Sequence, residues 1–144
     1  MHKLRIKRID KSLSLPQYKT KGAVALDLSS RETVTILPKE IKYIPLNVII
    51  ENPEGGLILL APRSSLHKMG IMQANGIGIF DGDFCGDKDE YHFPAYNFTD
   101  KEVTLEKGTR IAQILALEFK PIEWEEVEEM NKESRGGFGS TGKK

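Results

Sequence analysis

The apolar residues of this chain arrive in short blocks, each cut off by Gly, Pro, Asn or Asp, and this punctuation limits the fold more than any other feature. Residues 4–9 begin with alternation, and the β-branched run 33–37 is stopped by Pro38. The stretch 41–50 is apolar around Pro45, which predicts two strands or one bulged strand rather than a helix. Gly55-Gly56 makes a turn and residues 57–61 follow as a strand, with further strands expected over 77–80 and 91–98. The longest block, 111–119, does not alternate cleanly, so burial on both faces is expected there. Helical periodicity is confined to residues 64–69, with Ser64 as N-cap and Gly70 as terminator. Many short strands at near-regular spacing predict an all-β sandwich, barrel or jelly roll.

Composition narrows the function classes. The 21 basic and 21 acidic residues cancel, whereas a protein that rides a nucleic-acid backbone needs a cationic surplus, so no nucleic-acid polymer is expected as partner. No apolar run approaches the roughly 18 residues that span a bilayer, and the basic start lacks the apolar core of a signal peptide. Neither a membrane partner nor secretion is therefore expected. Cys85 is the single cysteine and cannot form an internal disulfide, in keeping with a cytoplasmic location. His2, His67 and His92 are too scattered for a compact metal site. After Pro121 the composition shifts: five glutamates between 123 and 129 surround Trp124, and residues 135–144 are almost all Gly, Ser, Thr and Lys. Such a tail cannot pack a core of its own, so the expected organisation is a β domain over 1–134 and a flexible glycine-rich segment over 135–144.

The tail carries two misleading patterns. Residues 137–142 fit G-x-G-x-x-G, and 137–143 fit most of a Walker A sequence. Both motifs need a preceding strand and a following helix, which Lys144 leaves no room for, so both folds are rejected. The local chemistry survives: consecutive glycines expose backbone N–H groups that can wrap phosphate oxygens beside Arg135 and Lys143.

Three clusters in the middle of the chain carry further chemistry. Pro62-Arg63-Ser64-Ser65 offers a guanidinium and hydroxyls where a strand gives way to a short helix, an arrangement that suits an anion and equally an ordinary N-cap. Asn75-Gly76 is a strong hairpin signal, and Gly78 allows close approach of a backbone or ligand. Asp81 follows an apolar strand, where a rigidly held carboxylate could take a proton from water, but for Asp81 and Asp83 taken alone turn chemistry is the stronger reading. In the block 107–113, Arg110 and Gln113 stand among apolar neighbours and need partners, for which a phosphate, an internal ion pair or an inter-subunit contact would serve.

Taken together and in this order, these clusters resemble the trimeric dUTP diphosphatase (dUTPase) family. The resemblance runs through Val24-Ala25-Leu26-Asp27-Leu28 and residues 62–71, 76–87, 108–114 and 135–142. Its most specific motifs are Ala-Pro-Arg-Ser-Ser-Leu, Lys-Gly-Thr-Arg-Ile-Ala-Gln and Arg-Gly-Gly-Phe-Gly-Ser-Thr-Gly. The stretch 86–97 resembles a branch found in Gram-positive bacteria and their phages. The resemblance implies a jelly-roll-like β-sandwich, a homotrimer with shared active sites, and hydrolysis of dUTP to dUMP and pyrophosphate. It implies Asp81 as the general base. Arg63, Ser64, Ser65 and Arg110 would lie on the phosphates, and Gln113 on the phosphates or the attacking water. Asn75 and the backbone through Gly78, Ile79 and Phe80 would read the uracil edge. Phe84, where the family usually has Tyr, would stack under the deoxyribose. Phe138 would cover the base as the tail closes on a neighbour's site, with Arg135, Gly139, Ser140 and Thr141 over the β- and γ-phosphates; Tyr91 stands as an alternative cover. Mg2+ would be held by the triphosphate, with Asp27 supporting it through water or through bonds to other site residues. Ala25 replaces a usual Gly.

Two alternatives remain on this fold. A deoxycytidine triphosphate deaminase needs a carboxylic acid against the cytosine amine, for which Glu90 is the nearest candidate. A nucleotide-gated regulatory binding protein would use the tail to report occupancy to a protein partner; the acidic stretch around Trp124 could belong to such a surface, although packing on a neighbouring subunit is the stronger reading of it.

Overall fold

The computed structural model of the chain describes residues 3–52, 54–140 and 142. Thr141 and Lys143, both assigned above to phosphate binding, lie outside the described residues, as does His2. The described chain forms eleven strands and one 3-10 turn: β1 (Ile6–Arg8), β2 (Leu26–Ser29), β3 (Val34–Ile36), β4 (Ile41–Pro45), β5 (Val48–Ile50), β6 (Gly56–Pro62), the turn Leu66–Met69, β7 (Ile71–Gln73), β8 (Gly78–Phe80), β9 (His92–Asn97), β10 (Val103–Leu105) and β11 (Arg110–Glu118). A four-stranded sheet has the order β2-β11-β6-β8 and a three-stranded sheet the order β4-β9-β7, with β1-β5 and β10-β3 as separate ribbons. Every pairing is antiparallel. None of the described helical residues forms a segment long and apolar enough to cross a membrane.

One core joins the two larger sheets. Leu28, Ile58, Leu60, Ile111 and Ile114 from the first meet Ile44, Ile71, Phe93 and Ala95 from the second in a single buried cluster. β6 shows why: Gly56, Ile58 and Leu60 are buried while the residues between them are half-buried, the period-2 pattern of a strand with one face inward. The punctuation predicted the all-β class, and the jelly-roll-like β-sandwich is the form that the family resemblance implied.

Pro45 ends β4, and β5 starts at Val48, so the stretch 41–50 is two strands. Three elements are additional to those read from hydrophobic runs: β2, β7 and β10, each of three or four residues and each carrying a polar residue at its centre or end. The expected two-faced burial of 111–119 holds only for Ile111, Ala112 and Ile114. The pairing with β2 stops at Ile114↔Leu26, so beyond it β11 has only β6 beside it and its outer half is exposed. The expected helix is a 3-10 turn that starts two residues later; Ser65, not Ser64, holds the N-cap position and makes no side-chain cap bond, and Gly70 closes the turn at φ 81°.

The Asn75-Gly76 hairpin is also corrected. The turn is tight, with Gly76 N–H donating to Gln73 O at 3.2 Å and Gly76 at φ 74°. Its two arms belong to different sheets, however: β7 pairs with β9, and β8 with β6. The turn therefore carries the chain across the sandwich and leaves β8 as an edge strand whose outer side pairs with no described strand. That edge is what positions the candidate site.

Candidate active site

The residues assigned to the phosphates cluster at one end of β6. Asp27 on β2 and Gln113 on β11 are register partners, so their side chains emerge side by side on one face. Arg63 follows the last residue of β6, and Arg110 opens β11 beside a register shift before Ala112. The Asp27 carboxylate accepts from both cations, Oδ1 lying 3.3 Å from Arg63 Nε and Oδ2 2.8 Å from Arg110 Nη1. Two guanidiniums around one carboxylate leave a net positive charge and several N–H donors held in fixed directions. Gln113 Nε2 donates to Pro62 O at 3.0 Å, which fixes the amide and leaves its Oε1 as an available acceptor. Ser64 and Ser65 are exposed and their hydroxyls make no hydrogen bond among the described residues. Beside this cluster lies a cavity of about 200 Å³ lined by residues that include Leu15, Gln17, Asp27, Ser29 and Arg110.

The base-side residues follow the free edge of β8. Gly78 packs so closely on the neighbouring strand that a Cβ there would lie 3.1 Å from Leu60 Cβ, tighter than an ordinary contact, so a side chain would push the strands apart by a few tenths of an ångström. Asp81 is the first residue after β8 and is exposed. Its immediate neighbour is firmly held: the Phe80 ring stacks on Tyr91 with centroids 3.6 Å apart and planes 2° from parallel, and Asn52 Nδ2 donates to Phe80 O at 2.8 Å. Phe84 lies 5.8 Å from Phe80 on the same stack and is partly exposed.

Tyr91 cannot serve as the alternative cover. It is fully buried, its hydroxyl donates to Ile50 O at 3.5 Å, and desolvation pushes its phenol pKa well above the ordinary value. A ring that forms the floor beneath Phe80 has no route to the outer face of a bound base. Phe138, by contrast, is wholly exposed in a segment that has no strand or helix between residues 119 and 140. Arg135, Gly139 and Ser140 are exposed in the same segment, with Gly136 and Gly139 in the left-handed region.

Glu90 is committed elsewhere. Its carboxylate accepts from Arg31 at 2.7 and 3.1 Å in a bidentate pair and from Asn47 N–H at 2.9 Å, anchoring the segment that returns from Phe84 to the core. The pair raises the already high Arg31 pKa and holds the guanidinium in place.

Within one chain the two halves do not meet. Phe80 is opposite Ile58, whereas Arg63 lies past the other end of β6; from Ile58 to Arg63 the strand rises about 16 Å at roughly 3.3 Å per residue. Asp81 therefore lies far from Arg63 and Gln113 of its own chain, and each half offers its functional groups to solvent.

The family model described as dUTPase matches residues 11–142. This chain belongs to the dUTPase family. Among curated relatives, the deoxyuridine 5'-triphosphate nucleotidohydrolase of Dictyoglomus turgidum is 43% identical over 99% of both chains. The SPbeta prophage-derived deoxyuridine 5'-triphosphate nucleotidohydrolase YosS of Bacillus subtilis is 40% identical over 83% of this chain and 84% of its own. Among solved structures, a Staphylococcus bacteriophage 80alpha dUTPase with dUPNHPP superposes with a TM-score of 0.85 at 25% identity over 99% of both chains.

As a dUTPase-family chain it offers little to a metal ion directly. Among the described residues no three His, Cys, Asp or Glu gather as ligands, and Asp27 is already shared by two guanidiniums. The chemistry of this donor set fits a divalent ion carried on the phosphates rather than one caged by protein. Two residues outside the sequence motifs shape the candidate site, Asn52 on the Phe80 carbonyl and Gln73 beneath Asn75, while Tyr91 is floor rather than cover. Gln73 left a faint signal, a polar residue in register with the buried Ile71.

Proposed function

We propose that this chain hydrolyses dUTP to dUMP and pyrophosphate through active sites assembled between subunits of a homotrimer. The observation that carries the reading is the division of the motif residues into two solvent-facing halves about 16 Å apart along β6 at roughly 3.3 Å per residue, which one chain cannot close on one substrate. A neighbouring subunit would bring its Arg63, Ser64, Ser65, Arg110 and Gln113 against the Asp81 edge. The exposed segment after β11 would reach a further site with Arg135, Phe138, Gly139, Ser140 and Thr141.

In such a site the ionised Asp81 carboxylate accepts a proton from a water held in line with the α-phosphorus. The water oxygen bonds to phosphorus as the bond to the α,β-bridging oxygen breaks, and pyrophosphate leaves with that electron pair. Arg63 and Arg110, held in place by Asp27, face the phosphate charge, and Ser64 donates near the departing oxygen. Mg2+ bound to the triphosphate supplies charge neutralisation and a fixed phosphate conformation. Phe84 lies under the deoxyribose, where a 2′-hydroxyl would clash, and the β8 edge with Asn75 reads the uracil. Phe138 closes over the base and excludes water. The bidentate Arg31 pair ties down Glu90 and weighs against cytosine deamination.

The test is incubation of the protein with dUTP, dTTP, dCTP or UTP and Mg2+, following pyrophosphate, phosphate and ammonia. Pyrophosphate from dUTP alone is the expected result. Silence with all four, or ammonia from dCTP, would replace this reading.

A further inference from the structure

A glutamine sits in the core beneath the base-reading edge, with only one end of its amide paired. Gln73 ends β7 with 6% of its surface exposed, and its Oε1 has no hydrogen-bond partner among the described residues. An unpaired buried amide oxygen is destabilising relative to an apolar residue of the same shape. The compensating feature lies at the other amide atom. Gln73 Nε2 donates to Leu60 O at 3.4 Å and to Asn75 Oδ1 at 3.0 Å.

These two bonds form a directional chain. A backbone carbonyl can only accept, so Leu60 O dictates that Gln73 turn its NH2 towards it. That same NH2 then faces Asn75, and only the Asn75 oxygen can accept from it. The Asn75 amide is thereby held with Oδ1 inward and Nδ2 outward, and this NH2 makes no hydrogen bond among the described residues. Asn75 is exposed on the turn that leads into the β8 edge.

We infer that Gln73 is a specificity-determining positioning residue: it polarises the Asn75 side chain so that the site presents a donor, selecting a pyrimidine with a carbonyl oxygen at its 4-position. Uracil offers an acceptor there and cytosine an amino donor. With Nδ2 outward, uracil gains a hydrogen bond and cytosine meets two donors face to face. An Asn75 free to turn its amide over would accept from cytosine instead. Discrimination therefore depends on the amide's orientation, which Asn75 alone does not fix. This inference rests on the dUTP reading above.

The experiment compares kcat and KM for dUTP and dCTP in the wild-type protein, Gln73→Leu, Asn75→Ala and the double variant. Gln73→Leu is expected to lower the dUTP-to-dCTP ratio of kcat/KM roughly fivefold, about the weight of one neutral hydrogen bond, with the change in KM rather than kcat. In the Asn75→Ala background the same substitution is expected to change nothing, because its effect passes through Asn75. An unchanged ratio in Gln73→Leu, or an equal loss in both backgrounds, overturns the proposal while leaving dUTP hydrolysis standing. A wild-type protein that does not hydrolyse dUTP overturns both. Gln73→Met serves if the Leu variant does not fold. Proton exchange of the Gln73 side-chain amide in the unmutated protein is independent of either variant: slow exchange is expected, and exchange at the free-amide rate refutes the bonded arrangement.

Discussion

If the active site is divided between chains, two inactive variants should repair one another. Asp81→Asn removes the proton acceptor, and general-base loss lowers kcat by roughly 10²–10⁴. Arg63→Ala removes a phosphate contact from the opposite end of β6, and Asp27 keeps its 2.8 Å pair with Arg110, so the fold should survive. When equal amounts are co-expressed and assemble at random, each site takes Asp81 from one chain and Arg63 from another. Each is intact in roughly half of the cases, so about a quarter of the sites are complete in a closed cyclic oligomer. Pyrophosphate release from dUTP by the co-purified mixture should therefore reach about a quarter of the wild-type rate per site, against almost nothing for either variant alone. Mixing the two variants after separate purification, without subunit exchange, should give no recovery. The reasoning fails if the co-assembled protein shows no more than the sum of its parents, because Asp81 and Arg63 would then act within one chain despite their separation along β6.

Three further outcomes follow from packing and charge. Tyr91→Ala should destabilise the protein by about 3–5 kcal/mol in urea denaturation, whereas Tyr91→Phe keeps the ring on Phe80 and should cost under about 1.5 kcal/mol. Equal losses would show that the hydroxyl, not the stack, holds the segment. Arg31→Ala leaves the Glu90 carboxylate with only the Asn47 N–H, and a loss of about 3 kcal/mol is expected, with Arg31→Lys recovering part of it because it lacks the bidentate fork; a Tm within a degree of wild type for Arg31→Ala would refute this. Asp10 is paired with Lys107 and bonded by Ser12 N–H, and Lys107 is the main reason its carboxyl lies well below the ordinary range. The folded state then binds fewer protons than the unfolded one. The contribution is full above the ordinary carboxyl pKa of about 4 and is lost as pH falls below it. The Tm gap between wild type and Asp10→Asn should accordingly narrow below about pH 4, and a gap that widens there would reverse the sign.

Much of this protein was decided locally, and local features are what a sequence displays. Pro45 cannot donate to a ladder and separates β4 from β5 wherever the chain goes. Gly55-Gly56 and Pro62 bracket the apolar run of β6 as a strand, whereas the choice of Ile58 and Leu60 as its inward face is made by the partner sheets. The phosphate-side and base-side motifs are contiguous runs, so their residues are legible together. What tertiary structure decided depends on partners distant in sequence. Asn75-Gly76 announces a tight turn, but whether its arms pair with each other depends on β6 and β9, and they pair with those instead. Residues 111–119 are mostly apolar, broken only by Gln113 and Glu118, yet the point where burial stops is set by the end of β2. Tyr91 reads equally as an exposed aromatic or a core one until the Phe80 ring is found 3.6 Å away. The orientation of Asn75 is the clearest case. The sequence provides the amide, but the carbonyl of Leu60 and the buried Gln73 decide which end faces outward, because hydrogen-bond polarity is fixed only when donors and acceptors from separate strands meet.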